Sequence, residues 1–283
     1  MFFRFHRAAS FCASVIFLFA AGSSFCKPAQ QKTLTFCADP NNLPYSNSKE
    51  QGFENKLAQI VASDLQARVV YRWQRMGRGF VREYLNKAVC DVVPGIPARS
   101  GQMLTTAPYY RSTYVFVYLA NAKDMPASLN DPKLHRMKIG IQAVGEELTP
   151  PGDALARRGM QDAIVPYYTT GDNEEAILQA VATRKINMAI VWGPTAGYFA
   201  RHYQLALCLV PVTPEMDPPG LPFTFAISMG VRKGNVVLRD ALNAALTRNA
   251  VEIRSLLATY GIPQLALGPE MSSGETLSKK STQ

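Results

Sequence analysis

The chain has 283 residues, 47% of them apolar and 18% charged, with a formal net charge of +9. That length suits two domains of about 100–150 residues, and that composition excludes intrinsic disorder. Three histidines, His6, His135 and His202, lie far apart with no cysteine pair at ligand spacing, so neither a metal site nor a cofactor is expected.

Arg4 and Arg7 precede an uncharged apolar run, 8–22, and small residues then lead into a polar stretch from Lys27. This is the order of a secretory signal peptide, placed at 1–26. A run of about 15 residues is short for a span that needs ~20, although an uncleaved anchor is the competing reading. Nothing later in the chain is apolar over such a length, so an exported, soluble protein without a membrane span is expected. Loss of Arg4 and Arg7 lowers the charge from +9 to +7. The remaining basic residues are scattered, which speaks against nucleic acid and for an acidic protein partner or an anionic ligand.

Strands are predicted at 33–38, 69–73, 91–93 and 112–120, with helices at 52–65 and 78–88. The first helix carries Phe53, Leu57, Ile60, Val61 and Leu65 on one face. A polar, Pro-broken stretch at 121–136 separates this series from a second one. There strands at 137–144, 164–168, 188–192 and 205–212 alternate with helices at 153–159, 173–184 and 195–202. A Pro-rich stretch, 211–222, then leads to a strand at 223–229 and a helical region at 236–259. Strands separated by helices argue for parallel sheets with right-handed crossovers.

The closing segment either extends the second lobe or crosses back to finish the first. The second choice gives two lobes, 33–120 plus 223–264 and 121–222, with a disordered tail at 265–283. It also gives two hinge crossings and a central cleft, where ligands of open α/β sheets bind. In an oxidising compartment cysteines are read as disulfides first. Cys37 and Cys90 sit at the ends of adjacent predicted strands and are paired on that ground. Cys208 reads as a buried thiol.

The runs Cys37-Ala-Asp-Pro-Asn-Asn-Leu-Pro-Tyr-Ser-Asn47, Gly52-Phe-Glu-Asn55, Cys90-Asp-Val-Val and 109–117 resemble the periplasmic solute-binding proteins of the amino-acid-binding type. With 191–201 and 222–232, they are similar to a narrower branch, the J-type accessory proteins encoded beside quinoprotein methanol and alcohol dehydrogenases. The resemblance covers about 33–263. It implies a type II periplasmic binding-protein fold serving a periplasmic dehydrogenase that depends on pyrroloquinoline quinone, by assisting its maturation or activation. A transport receptor for a small, anionic organic ligand is the alternative.

Amino-acid-binding relatives grip the ligand carboxylate with an Arg after the third strand, for which Arg99 is the nearest candidate. They hold the ammonium with an acid at a strand end that here reads Val191-Trp192-Gly193. An indole there makes a free α-amino acid a poor ligand.

Candidate cleft residues follow from strand ends. Asp39, Asn41, Asn42 and Tyr45 lie on the loop after the first strand, as ligand contacts or as turn formers. Trp73 and Arg75 end the second strand, as an aromatic-plus-cation platform or as core and surface. Arg99 either grips an anion or is a surface charge. Trp192 and Tyr198 are placed on the opposite wall. Gly145, with Glu146, precedes a helix start where backbone N–H groups hold anions. Tyr110 and Arg111 are assigned to the hinge. Ser46 and Ser112 lack a glycine-elbow setting, and Gly77-Arg-Gly79 is no phosphate loop, so a non-catalytic protein is expected.

Overall fold

The computed structural model describes residues 32–268, apart from Met76, Arg78, Arg99, Glu146 and residues 170–172. The expected signal peptide, 1–26, and most of the expected tail lie outside the described residues.

The alternation of the first strand decides which layers it joins. In β1 (Thr33–Ala38), Leu34 and Phe36 turn to one core, whereas Cys37 turns to the other. Helix α1 (Phe53–Asp64) covers the first of these cores with Phe53, Leu57, Ala58, Val61 and Ala62; Ile60 and Leu65 are only half-buried. Its start is set by Asn55, whose Oδ1 accepts the N–H groups of Gly52 at 3.1 Å and Asn47 at 3.2 Å. β2 (Arg68–Trp73) runs parallel to β1, and β3 (Val92–Pro97) touches β1 through Phe36 and Val92. On the far face Cys37 and Cys90 form a disulfide, Cα atoms 5.5 Å apart, beside Phe80, Leu85 and Met103.

β4 (Tyr110–Leu119) leads into β5 (Ile139–Val144), α2 (Pro150–Arg157), β6 (Ile164–Tyr168), α3 (Ala176–Ala182) and β7 (Met188–Trp192). Then follow α4 (Gly193–His202), β8 (Leu207–Pro211), β9 (Thr224–Val231), α5 (Val236–Arg248) and α6 (Ala250–Thr259). The strand order is β6-β5-β7-β4-β9-β3-β1-β2, with β8 on β4.

Period-2 alternation again splits the cores. Tyr114, Phe116, Met188 and Ile190 face one way and Val115, Val117, Ala189 and Val191 the other. Each fully buried Phe among these layers, such as Phe53 or Phe116, contributes roughly 1.5–3 kcal/mol over an exposed one.

Two lobes result because β4 changes partners midway. Tyr110–Thr113 pairs with β9, whereas Tyr114–Leu119 pairs with β7 and β8. The sequence expectation carries 112–120 wholly in the first lobe; the structure puts the change of pairing between Thr113 and Tyr114. The return crossing is held beside it, Tyr114 N–H donating to the Phe223 carbonyl at 2.9 Å.

Three elements differ from expectation. The helix at 78–88 is one π turn, Val81–Leu85. The strand at 91–93 runs on to Pro97, because Pro94 sits where the pairing with β9 shifts register between Ser228 and Gly230. The helical region 236–259 breaks at Asn249, whose side-chain amide caps Ala245 at 2.8 Å and reaches Asp64 at 3.1 Å.

Behind α6 the chain lies along β4: the Ser112 hydroxyl donates to the Pro263 carbonyl at 2.6 Å and Leu265 N–H donates to the Arg111 carbonyl at 2.8 Å. Leu265, counted with the tail by sequence, is thus anchored. The same segment touches α4, where Gly197 faces Gly261 so closely that a Cβ on Gly197 would fall 1.9 Å from its carbonyl oxygen.

Candidate functional site

A cleft of about 370 Å³ opens between the lobes, at the carboxyl ends of β1 and β7. From the first lobe come Asn42 and Tyr45 on the loop after β1, Glu54 in the first turn of α1, and Pro94, Gly95 and Pro97 of β3. The crossing strands supply Tyr110, Tyr114, Phe225 and Ile227, and the second lobe supplies Gln142, Thr149, Glu174, Trp192 and Thr195.

Trp192 ends β7 half-buried, wedged between the cores of both lobes. Its ring meets Tyr114 edge-on at 5.3 Å and Phe225 at 5.7 Å, the geometry aromatic quadrupoles favour. Its backbone N–H donates to Gln142 Oε1 at 2.9 Å, which explains a buried glutamine in β5. Tyr45 reaches Thr195 at 3.2 Å across the cleft mouth. Burial holds the phenols of Tyr45, Tyr110 and Tyr114 well above their usual range, so all three are neutral donors and acceptors.

Glu54 is one of the cleft residues that the sequence reading missed, with Tyr114, Gln142, Glu174, Thr195 and Phe225 among the others. Glu54 is 6% exposed, and none of the described residues donates a hydrogen bond to its carboxyl. Burial alone raises that carboxyl to about 8, overriding the favourable charge of the helix start. Its Oε1 packs on Gly95, where φ is +71° and a Cβ would stand 2.0 Å from the oxygen. The available signal was a charge with Leu57, Ala58 and Val61 at the i+3, i+4 and i+7 positions of the buried stripe.

The other expected residues divide. Asn42, Tyr45 and Trp192 line the cleft, and so does Tyr110. Asp39 and Asn41 do not: Asp39 Oδ1 accepts the Asn41 N–H at 2.9 Å, forming the turn. Trp73 stacks on Tyr71 at 4.5 Å, and Arg75 is exposed beyond it. Gly145 lies in a turn between β5 and the short strand Glu147–Leu148, so no helix starts there. Tyr198 faces away from the cleft and stacks on Tyr260 at 5.9 Å and His202 at 5.5 Å. Arg111 pairs with Glu215. Arg99 lies outside the described residues. Among the described residues the cleft wall carries two carboxyls, Glu54 and Glu174, and no Lys, Arg or His. An anion therefore finds no described cation there.

No group of His, Cys, Asp and Glu among the described residues could hold a metal, and no helix among them is long and apolar enough to cross a membrane.

The family model of bacterial extracellular solute-binding proteins, family 3, matches residues 34–259. A relative named Protein MoxJ, from Methylorubrum extorquens, is 31% identical over 254 residues, covering 82% of this chain and 82% of its own. The crystal structure of the periplasmic binding protein XoxJ from Methylobacterium extorquens AM1 is similar at 35% identity and TM-score 0.67, covering 83% of this chain and all of that one. MxaJ from Methlophaga aminisulfidivorans MPT is similar at 27% identity and TM-score 0.73, over 82% of this chain and all of its own. With two α/β lobes, paired crossings and a cleft at the strand ends, the chain has the type II periplasmic binding-protein fold and belongs to the bacterial extracellular solute-binding proteins, family 3, in the MoxJ branch.

Proposed function

We propose that the chain is a non-catalytic periplasmic accessory factor that supports a pyrroloquinoline-quinone-dependent methanol or alcohol dehydrogenase by protein–protein contact, during its maturation or activation. The observation that carries this reading is likeness to Protein MoxJ over four-fifths of the chain. The runs 37–47, 191–201 and 222–232, which resemble the branch accompanying such dehydrogenases, point the same way. The cleft supports it as well. Trp192 lines the cleft and, by the family resemblance, takes the place of the acid that holds the ammonium group in amino-acid receptors. The Cys37–Cys90 disulfide and the signal-like residues 1–26 suit export to an oxidising compartment.

The test is cross-linking and co-purification from the periplasm of alcohol-grown cells, combined with gene deletion. A dehydrogenase subunit captured with the chain, and lost alcohol oxidation after deletion, are the expected results. Unchanged oxidation with no captured dehydrogenase removes the reading, and a lost uptake of a small solute would put a transport receptor in its place.

A further inference from the structure

The cleft contains a carboxyl that the accessory role does not use. Glu54 is nine-tenths buried, lines the cavity and has no hydrogen-bond donor among the described residues. A buried carboxyl without a partner is costly, and a cation of matching size offsets that cost when it arrives. The rest of the lining suits such a guest. Trp192, Tyr114 and Phe225 pack edge to face, and Tyr110 and Tyr45 extend the aromatic lining toward Glu54. Aromatic faces attract cations through their quadrupoles, most strongly when water is excluded.

We propose that the cleft binds an organic monocation of the alkylammonium class, its charge held by Glu54 and its alkyl part enclosed by Trp192, Tyr114 and Phe225. This class differs from amino acids in needing no carboxylate clamp, and the described wall offers none. The inference is independent of the dehydrogenase, since it concerns only what fills the cleft.

Binding is coupled to a proton. The groups that face Glu54 are Tyr45 on its loop, Tyr71 on β2, and Tyr109 and Tyr110 at the start of β4, with Glu174 on the far wall. The four phenols are raised and stay neutral, so Glu54 is the group that exchanges the proton near neutrality. It carries a proton in the empty cleft and releases it when the ammonium group arrives.

The experiment is isothermal calorimetry on the exported protein with n-butylammonium, against butyrate as an anion of similar size and 1-butanol as neutral isostere. Affinity for butylammonium should rise more than about tenfold between about pH 6.5 and about pH 8.5. Titration in two buffers of different ionisation enthalpy should show close to one proton released per cation near neutrality. Glu54→Gln should weaken binding about tenfold or more and abolish the pH dependence. The proposal is overturned by absent binding at the higher pH, by binding without proton release, by a preference for butyrate or butanol, or by equal affinity in the folded Glu54→Gln protein. The proton count uses the unmodified chain and decides the matter even if that variant does not fold.

Discussion

The Tyr45 phenol and the Thr195 hydroxyl lie 3.2 Å apart, joining the loop behind β1 to the first turn of α4 across 150 residues of sequence. It is a direct polar contact between the two walls of the cleft. Tyr45→Phe should lower stability by about 1 kcal/mol, and Thr195→Val by a similar amount. Because the two groups share one hydrogen bond, the double variant should lose less than the sum of the single losses. Urea unfolding of the four proteins measures this, and strict additivity would show that the contact does not hold in solution.

Glu54 makes stability depend on pH. Its folded-state value of about 8 lies above the ordinary 4.5, so the folded chain keeps a proton that the unfolded chain gives up. Stability from this group is complete below about pH 4.5 and is lost as pH rises through about 8. The loss is on the order of a few kcal/mol. Glu54→Gln should flatten the unfolding free energy over that window, as read from denaturant titrations at a series of pH values. A parallel slope in wild type and variant would assign the dependence elsewhere.

Gly197 meets the backbone of Gly261, a neighbour that cannot swing aside. Gly197→Ala puts its Cβ 1.9 Å from a carbonyl oxygen and should cost 1–3 kcal/mol, roughly, by forcing α4 off the chain behind α6. Gly220→Ala is the control, since a Cβ there meets nothing within 4 Å; it should stay within about 0.5 kcal/mol of wild type. Thermal melts of both variants settle the contrast.

The disulfide closes a loop with a sequence separation of 53 between Cys37 and Cys90. Replacing both by alanine should lower stability by about 4 kcal/mol on the chain-entropy account. Oxidised wild type treated with reductant should show the same drop in unfolding midpoint, whereas Cys208→Ala should leave the reductant effect intact.

Much of the architecture was legible because its signals are local. Alternation in 33–38 and 188–192, and the apolar stripe of 52–65, needed no partner to be read. Asn42, Tyr45 and Trp192 could be placed because strand ends in an α/β sheet face the crevice. The rest depended on long-range packing. Glu54 looks like an ordinary surface acid of a helix start until β3 brings Gly95 against it. Tyr114 and Phe225 enter the cleft because β4 and β9 pass from lobe to lobe, and a strand pattern does not record where pairing changes hands. Tyr198 was assigned to the wall, yet the docking of Gly197 on Gly261 turns it toward Tyr260. Gly145 reads as preceding a helix start because a two-residue return strand, Glu147–Leu148, leaves no periodic trace.

The segment behind α6 alters what the hinge can do. Two crossings alone would act as a pair of door hinges, free to swing about the line joining them. The seat of Gly197 on Gly261, with the Arg201 guanidinium donating to the Ala258 carbonyl at 3.0 Å, adds a third fastening between α4 and the chain behind α6. Any swing that parts these two segments then has to give up those contacts as well as bend the crossings.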